Sequence, residues 1–190
     1  MSLPPLDPRT TALVLIDLQK GIATPGRAPH DSTDVVSKAK SLAERFRAAG
    51  SPVFLVRVYW AKDYADALNQ PVDQPAPLPA DGLPPAFYEF VDGLKQDGDI
   101  IIHKRNWGAF HGTDLDLHLR RRGIQTIVLA GIASNIGVES TARDAWERNY
   151  NLVVVEDACT TNAAEAHAAS FKYIFPRISR VVKTADITLA

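Results

Sequence analysis

Thr126-Ile-Val-Leu-Ala-Gly131-Ile-Ala-Ser-Asn-Ile-Gly137-Val-Glu-Ser-Thr141 is an apolar run that enters a turn of small residues and leaves as an amphipathic segment reaching Tyr150. The pattern predicts a strand, a tight turn and a helix in direct succession. The first backbone N–H groups of such a helix have no partner within it and lie at the positive end of its dipole. We therefore expect the turn to bind an anion or an oxyanion. Gly137 stands where such a turn would carry a nucleophile, and it has no side chain with which to attack.

Two further apolar runs end in charged residues. Residues 11–17 end in Asp17, and residues 99–104 end in Lys104. Either charge alone is most often a solvated loop charge. Ligands of open α/β sheets bind beyond the carboxyl ends of the strands, so the two charges and the 131–141 turn together favour one shared site. Asp17 is a candidate general acid or base, since burial raises the pKa of a carboxyl whereas a nearby lysine lowers it.

Alternating apolar runs and amphipathic segments predict the fold class. Six near-continuous apolar runs are predicted strands, as expected when helices cover both faces of a sheet: 11–17, 52–59, 99–104, 126–132, 151–157 and 178–183. The predicted helices are 32–49 (capped by Asp31 or Ser32), 85–96, 113–122 (capped by Thr113), 136–149 and 163–174. The alternation predicts a three-layer α/β/α, Rossmann-like domain over residues 1–190, with a parallel sheet and right-handed crossovers. The proline-rich stretch 70–79 is predicted to be a surface excursion.

The bulk composition excludes several classes of protein. Lys and Arg number 21 and Asp and Glu 22, which argues against nucleic acid or a membrane surface as a general partner. A single cysteine excludes an internal disulfide. We read no signal peptide at the N-terminus, and no apolar run approaches the length of a membrane span. A cytoplasmic enzyme that acts on a small molecule is the expectation.

The three segments together resemble the isochorismatase-like (cysteine hydrolase) superfamily, over about residues 8–184. The resemblance lies in Leu13-Val-Leu-Ile-Asp17-Leu-Gln, in 104–115 and in 131–141. It implies a six-stranded sheet in the order 3-2-1-4-5-6, a cis peptide before Ala133, and backbone N–H donors at Ala133 and Gly137. Most of that superfamily, including nicotinamidases and carbamoyl-amide hydrolases, has a cysteine where this chain has Gly137. The true isochorismatases have glycine there and hydrolyse a vinyl ether without a covalent intermediate.

The chain looks closest to a glycine-bearing subgroup, which implies hydrolysis of a small carboxylated molecule by water. Asp17 would be the acid or base, Lys104 a fixed cation, and Ala133 and Gly137 the anion cradle. The alternatives are an amidase that uses water or Cys159, and a ligand-binding relic without activity. Lone cysteines such as Cys159 are more often small core residues. A homo-oligomer, dimeric or tetrameric, is expected.

The remaining candidates are aromatic and histidine residues. The side chains that follow strand ends are Trp60, Tyr64, Trp107 and Phe110, which could line a pocket or equally pack in the core or an interface. The histidines, at 30, 103, 111, 118 and 167, show no ligand spacing, and none lies between Val58 and Asp99, where the nicotinamidase-type metal site would need one. No dinucleotide or phosphate-loop fingerprint follows the first strand. We therefore predict no zinc and no cofactor.

Overall fold

The computed structural model describes residues 3–76 and 78–190, and its six strands form one parallel sheet in the order β3-β2-β1-β4-β5-β6. The strands are β1 (Thr11–Ile16), β2 (Val53–Val58), β3 (Ile100–Lys104), β4 (Thr126–Ile132), β5 (Asn151–Thr160) and β6 (Arg180–Val182). The predicted fold class and strand order are confirmed. Met1, Ser2 and Pro77 lie outside the described residues, so the predicted 1–190 domain and the 70–79 excursion are described without them.

The helices cover both faces of the sheet. They are α1 (Ser32–Ala48), α2 (Pro85–Tyr88), α3 (Leu115–Arg121), α4 (Glu139–Glu147), α5 (Ala164–Ala169) and α6 (Phe175–Ile178). A wide π-type turn, Ser134–Val138, leads into α4, and a second, Ser170–Ile174, joins α5 to α6. Asp31 caps α1, because its carboxylate accepts a hydrogen bond from the Thr33 amide at 2.8 Å. Within the described ranges, no helix is long and apolar enough to cross a membrane.

The predicted helix over 85–96 is wrong beyond Tyr88. Glu89 has extended backbone angles, the Val91 amide donates to the Leu18 carbonyl, and Phe90 forms an antiparallel bridge with Gln19. These residues satisfy their backbone groups against the loop that follows β1 instead of within a helix. The pairing fixes the loop directly after Asp17.

The last part of β5 also differs from the prediction, which ended the strand at 157. β5 continues to Thr160, and Cys159 pairs with Gly131 across the sheet. Cys159 therefore lies inside the strand, fully buried, and not just past its end. The polar pair Glu156-Asp157 concealed this continuation in the sequence pattern.

Gly131 allows β4 to approach β1 closely at the edge where the charged residues lie. Its φ is +128°, and an added Cβ would lie 2.2 Å from the Ile16 carbonyl oxygen. No other residue fits at that separation. The approach brings the turn that follows β4 against the end of β1, and so against Asp17.

Candidate active site

Asp17 and Lys104 form a buried ion pair at the carboxyl edge of the sheet. Asp17 follows the last residue of β1 with a φ of +51°, and Lys104 is the last residue of β3. The Lys104 Nζ lies 2.8 Å from the Asp17 Oδ2, and the two side chains are 4% and 8% exposed. The Val58 amide donates to Asp17 Oδ1 at 3.1 Å. The predicted convergence of these two charges is therefore present, in a site with little access to water.

The Lys104 ammonium also holds the loop that follows β3. Besides Asp17, it donates to the carbonyls of Asn106 at 3.1 Å and of Trp107 at 3.0 Å. An ammonium has three N–H donors, and these three partners occupy them. In this arrangement Lys104 positions the Asp17 carboxylate and the 106–107 loop.

Burial decides the acidity of Asp17. It raises the pKa of the Asp17 carboxyl above its ordinary value, although Lys104 and the Val58 amide act in the opposite direction. A carboxyl with a raised pKa keeps a proton to a higher pH, which suits it to act as a general acid.

The turn after β4 lies against the Asp17–Lys104 pair and forms the third part of the candidate site. The peptide bond between Ile132 and Ala133 is cis, as the family resemblance implied. The Ala133 carbonyl accepts hydrogen bonds from the amides of Ile136 and Val138, both at 3.1 Å, which closes the turn. Gly137 is buried inside it.

The side chain that Gly137 lacks would point at the ion pair. A Cβ built on Gly137 would lie 3.3 Å from Asp17 Oδ2, 3.4 Å from the Trp107 carbonyl oxygen and 3.0 Å from Ile16 Cγ2. The structure thus brings together Asp17, Lys104 and Gly137, which are the three candidate catalytic residues. Two of the neighbours of the added Cβ are oxygen atoms that Lys104 also contacts.

Two buried polar residues that sequence reasoning missed support this arrangement. Thr141 Oγ1 donates to the Gly137 carbonyl at 2.6 Å and accepts from the Ala109 amide at 3.1 Å, so it ties the turn to the loop after β3. Gln19 bonds both backbone groups of Val58, through Nε2 at 3.1 Å and Oε1 at 2.9 Å. The sequence signals their roles only by position: Thr141 lies four residues after Gly137, and Gln19 lies two residues after Asp17.

The four aromatic candidates occupy different surroundings. The Trp60 Nε1 donates to the Arg105 carbonyl at 3.0 Å, and the rings of Trp60 and Tyr64 meet edge to face at 6.3 Å. Among the described residues, the buried hydroxyl oxygen of Tyr64 has no hydrogen-bond partner. Trp107 is 60% exposed. Phe110 is buried and packs on Tyr150, so it is a core residue.

Cys159 has the wrong environment for a nucleophile. Its side chain is fully buried, and burial raises the pKa of the thiol well above its ordinary value, despite a hydrogen bond from the Gly131 amide. Reactive cysteines require the opposite shift.

A second polar cluster lies beside Ser134, the first residue of the turn. Glu156 Oε1 is 2.8 Å from His30 Nε2 and 3.1 Å from His167 Nε2, and the other ring nitrogen of His167 is 2.8 Å from Ser134 Oγ. Burial by itself raises the pKa of Glu156, but the hydrogen bonds from the two histidines together lower it by more. The pKa of Glu156 therefore lies below its ordinary value. Burial lowers the pKa of His167. Inspection of histidine spacing along the chain missed this cluster.

Known proteins share this fold and sequence over nearly the whole chain. A family model described as the isochorismatase domain matches residues 11–186. The isochorismatase family protein YecD of Escherichia coli O157:H7 is 57% identical over 183 residues, which are 96% of this chain and 96% of that protein. The ureidoacrylate amidohydrolase RutB of Caulobacter segnis is 35% identical over 178 residues, 81% of this chain and 74% of that protein. The structure of an isochorismatase family protein from Burkholderia thailandensis superposes with a TM-score of 0.92 and 47% identity, covering 98% and 97% of the two chains.

Proposed function

The chain belongs to the isochorismatase family, and on that premise we propose that it is a hydrolase in which water, and not a cysteine thiolate, attacks a small carboxylated substrate. One observation carries the proposal. The Cβ that Gly137 lacks would lie 3.3 Å from Asp17 Oδ2. In the cysteine-bearing members that the sequence resembles, this position holds the nucleophile. Glycine here leaves the carboxyl facing the space in which we place the attacking water.

Asp17 is the proton carrier of the proposed reaction. We place a proton on Asp17 at the start of the reaction, a form that burial favours by raising the pKa of this carboxyl, and the proton passes to the substrate as the bond to the leaving group weakens. Water forms the new C–O bond, and the proton that the water loses returns to the Asp17 carboxylate. The net change is addition of one water across the cleaved bond, so the enzyme ends in its starting protonation state.

The anion cradle is the second element of the proposal. The N–H groups of Ala133 and Gly137 open the helical segment that runs from Ser134 to Glu147, and the segment's dipole favours negative charge there. We place a substrate carboxylate or a developing oxyanion at these N–H groups. Lys104 supports it at a distance, since its own donors hold Asp17 and two carbonyls.

The proposed pocket wall lies on the side of β2 and β3. Trp60 and Tyr64 stand there, and the buried Tyr64 hydroxyl has no partner among the described residues. A buried hydroxyl without a partner costs about 1–3 kcal/mol. A polar group of the substrate would satisfy it, and Trp107, which is exposed, would form the rim.

Hydrolysis of a small amide is the alternative reaction. It is favoured by the 35% identity to RutB, an amidohydrolase of ureidoacrylate. The same Asp17 and the same cradle would serve it, with water as the nucleophile. A relic that binds such ligands without turnover is the third outcome that an experiment must separate.

A substrate panel with paired variants tests the proposal. Small carboxylated vinyl ethers and small amides, ureidoacrylate among them, are assayed with the wild-type protein, Asp17→Asn and Asp99→Asn. Asp99 is a matched control, because it too is a buried acid in an ion pair, 2.7 Å from Arg47. We expect turnover of a vinyl ether, lowered about 100-fold or more by Asp17→Asn and far less by Asp99→Asn. Turnover confined to amides would favour the alternative, and ligand binding without any turnover would identify a relic.

A further inference from the structure

The side chains of His30, Glu156 and His167 converge from three separate parts of the chain. His30 lies in the loop between β1 and α1, Glu156 in β5, and His167 in α5. Both imidazole Nε2 atoms point at one carboxylate oxygen, Glu156 Oε1, at 2.8 and 3.1 Å. The three potential ligand atoms all lie within 4.8 Å of one another. This cluster is distinct from the Asp17–Lys104 pair.

We propose that His30, Glu156 and His167 form a binding site for a divalent transition-metal ion of the zinc type. Two imidazole nitrogens and one carboxylate oxygen are a donor set that Zn²⁺ takes at about 2.0–2.2 Å. Ligand atoms around such an ion stand about 3.4 Å apart in tetrahedral geometry. The distances of 2.8 and 3.1 Å to Glu156 Oε1 therefore need to widen by about half an ångström, and the two imidazole nitrogens, which lie within 4.8 Å of one another, need to reach a similar separation. Three protein ligands would leave the fourth position of a tetrahedral ion to water.

The surroundings hold the ligands in place for an ion. Ser134 Oγ lies 2.8 Å from His167 Nδ1, so it can accept the Nδ1–H and leave Nε2 free to coordinate. Phe171 stacks on the His167 ring with centroids 4.3 Å apart. Thr160 Oγ1 donates to the His30 carbonyl at 2.6 Å, and this hydrogen bond holds the backbone of His30 in place.

The charge of the cluster also suits a cation. Glu156 contacts the two histidines, and within residues 3–76 and 78–190 no lysine or arginine forms an ion pair with it. With both imidazoles neutral the group carries one negative charge, and it is partly buried, with side-chain exposures of 28% for His30, 25% for Glu156 and 4% for His167. A metal here would link the loop before α1, strand β5 and helix α5, next to Ser134 at the start of the turn that contains Gly137. The proposal differs from the prediction of no zinc, which rested on the spacing of the histidines along the chain and on the lack of a histidine between Val58 and Asp99.

Metal binding is tested on the full chain without a histidine tag. The protein is treated with a chelator, dialysed, and titrated with Zn²⁺ in competition with a chromophoric chelator, followed by elemental analysis. We expect one Zn²⁺ per chain, and affinity lowered at least about tenfold by Glu156→Gln, His30→Gln and Ser134→Ala. His118→Gln is the matched control, because His118 pairs with a surface acid, Asp114, and belongs to no group of three potential metal ligands among residues 3–76 and 78–190.

Co²⁺ provides a second readout that does not depend on activity. Substituted into the site, it should give the visible absorption of a four-coordinate ion, and Glu156→Gln should abolish it. His30 is partly exposed, so His30→Gln keeps the test decisive even if a variant at the buried His167 fails to fold. Absence of saturable Zn²⁺ binding would overturn the proposal, as would stoichiometric binding that survives His30→Gln and Glu156→Gln. Neither result depends on whether the proposed hydrolase activity is found.

Discussion

Replacing Lys104 with methionine should destabilise the protein by about 3–5 kcal/mol at pH 8, because it leaves the Asp17 carboxylate buried without its counter-charge. Methionine keeps most of the apolar stem and removes only the ammonium. The loss is large because the Asp17 side chain is 8% exposed and because the carbonyls of Asn106 and Trp107 lose the same donor. A domain of this size has a free energy of unfolding of about 5–15 kcal/mol, so the change is measurable.

The loss should also depend on pH, with a sign that follows from Asp17. Burial already raises the pKa of this carboxyl, and without Lys104 the pKa rises further. A folded-state pKa above the unfolded value means that the folded protein holds a proton that the unfolded chain has released. The carboxyl's contribution to stability is therefore full below about pH 4 and falls as pH rises towards the folded pKa, by at most about 1.4 kcal/mol per pH unit. Lys104→Met should lose less stability at pH 5 than at pH 8.

Denaturant unfolding of four proteins at both pH values checks this reasoning. They are the wild type, Lys104→Met, Asp17→Asn and the double variant. The double variant removes both charges, and the carboxamide oxygen introduced by Asp17→Asn can still accept from the Val58 amide, which now donates to the carboxylate. It should therefore be more stable than the sum of the single changes implies, by about 1–3 kcal/mol. A loss below about 1 kcal/mol for Lys104→Met, equal at pH 5 and pH 8, would refute the buried-pair account.

Three further predictions concern neighbouring residues. Gly137→Cys should lower turnover of the best substrate about 100-fold and add little amide hydrolysis. The added Cβ would lie 3.3 Å from Asp17 Oδ2, and the sulfur would occupy the proposed place of the water. A large gain in amide hydrolysis, with turnover of the native substrate unchanged, would contradict this prediction. Cys159, which is fully buried, should react with a thiol reagent only when the protein unfolds, and the reagent should leave any activity intact. Thr141→Val should cost about 1–3 kcal/mol in urea unfolding, because the Gly137 carbonyl and the Ala109 amide lose their partner. The exposed Thr33→Val on α1 should change stability by less than about 0.5 kcal/mol.

The fold was predictable where structure follows from local pattern. Near-continuous apolar runs such as 11–17 and 126–132 predict buried parallel strands because both sheet faces are covered. The strand order rested on the family resemblance and not on the residues alone. The helix over 85–96 failed because Phe90 and Val91 pair with the distant Gln19 and Leu18, a contact that no local periodicity encodes. The end of β5 failed because Glu156 and Asp157 interrupt the apolar run of a strand that continues.

The candidate site was predictable to the extent that topology decides it. Asp17 follows β1 and Lys104 ends β3, and the carboxyl ends of parallel strands meet at one edge, so the sheet places both residues at that edge. The carbonyl partners of Lys104 were not predictable, because they depend on the path of the loop at 106–107. The cluster of His30 and Glu156 was not predictable either, since 126 residues separate them along the chain.

The geometry around Gly137 suggests how one scaffold can serve two kinds of nucleophile. Asp17 Oδ2 is held by Lys104 at 2.8 Å and lies 3.3 Å from the Cβ that Gly137 lacks. A cysteine at this position would place its sulfur within reach of the carboxylate that takes its proton, and the lysine would favour the thiolate. With glycine, the same oxygen can take the proton of a water in that space. In both proposed schemes the acid, the cation and the turn are the same, so the residue at 137 would select the nucleophile and Asp17 would be required with either. Asp17→Asn therefore tests whether the site is catalytic at all, whereas Gly137→Cys tests which nucleophile its shape accepts.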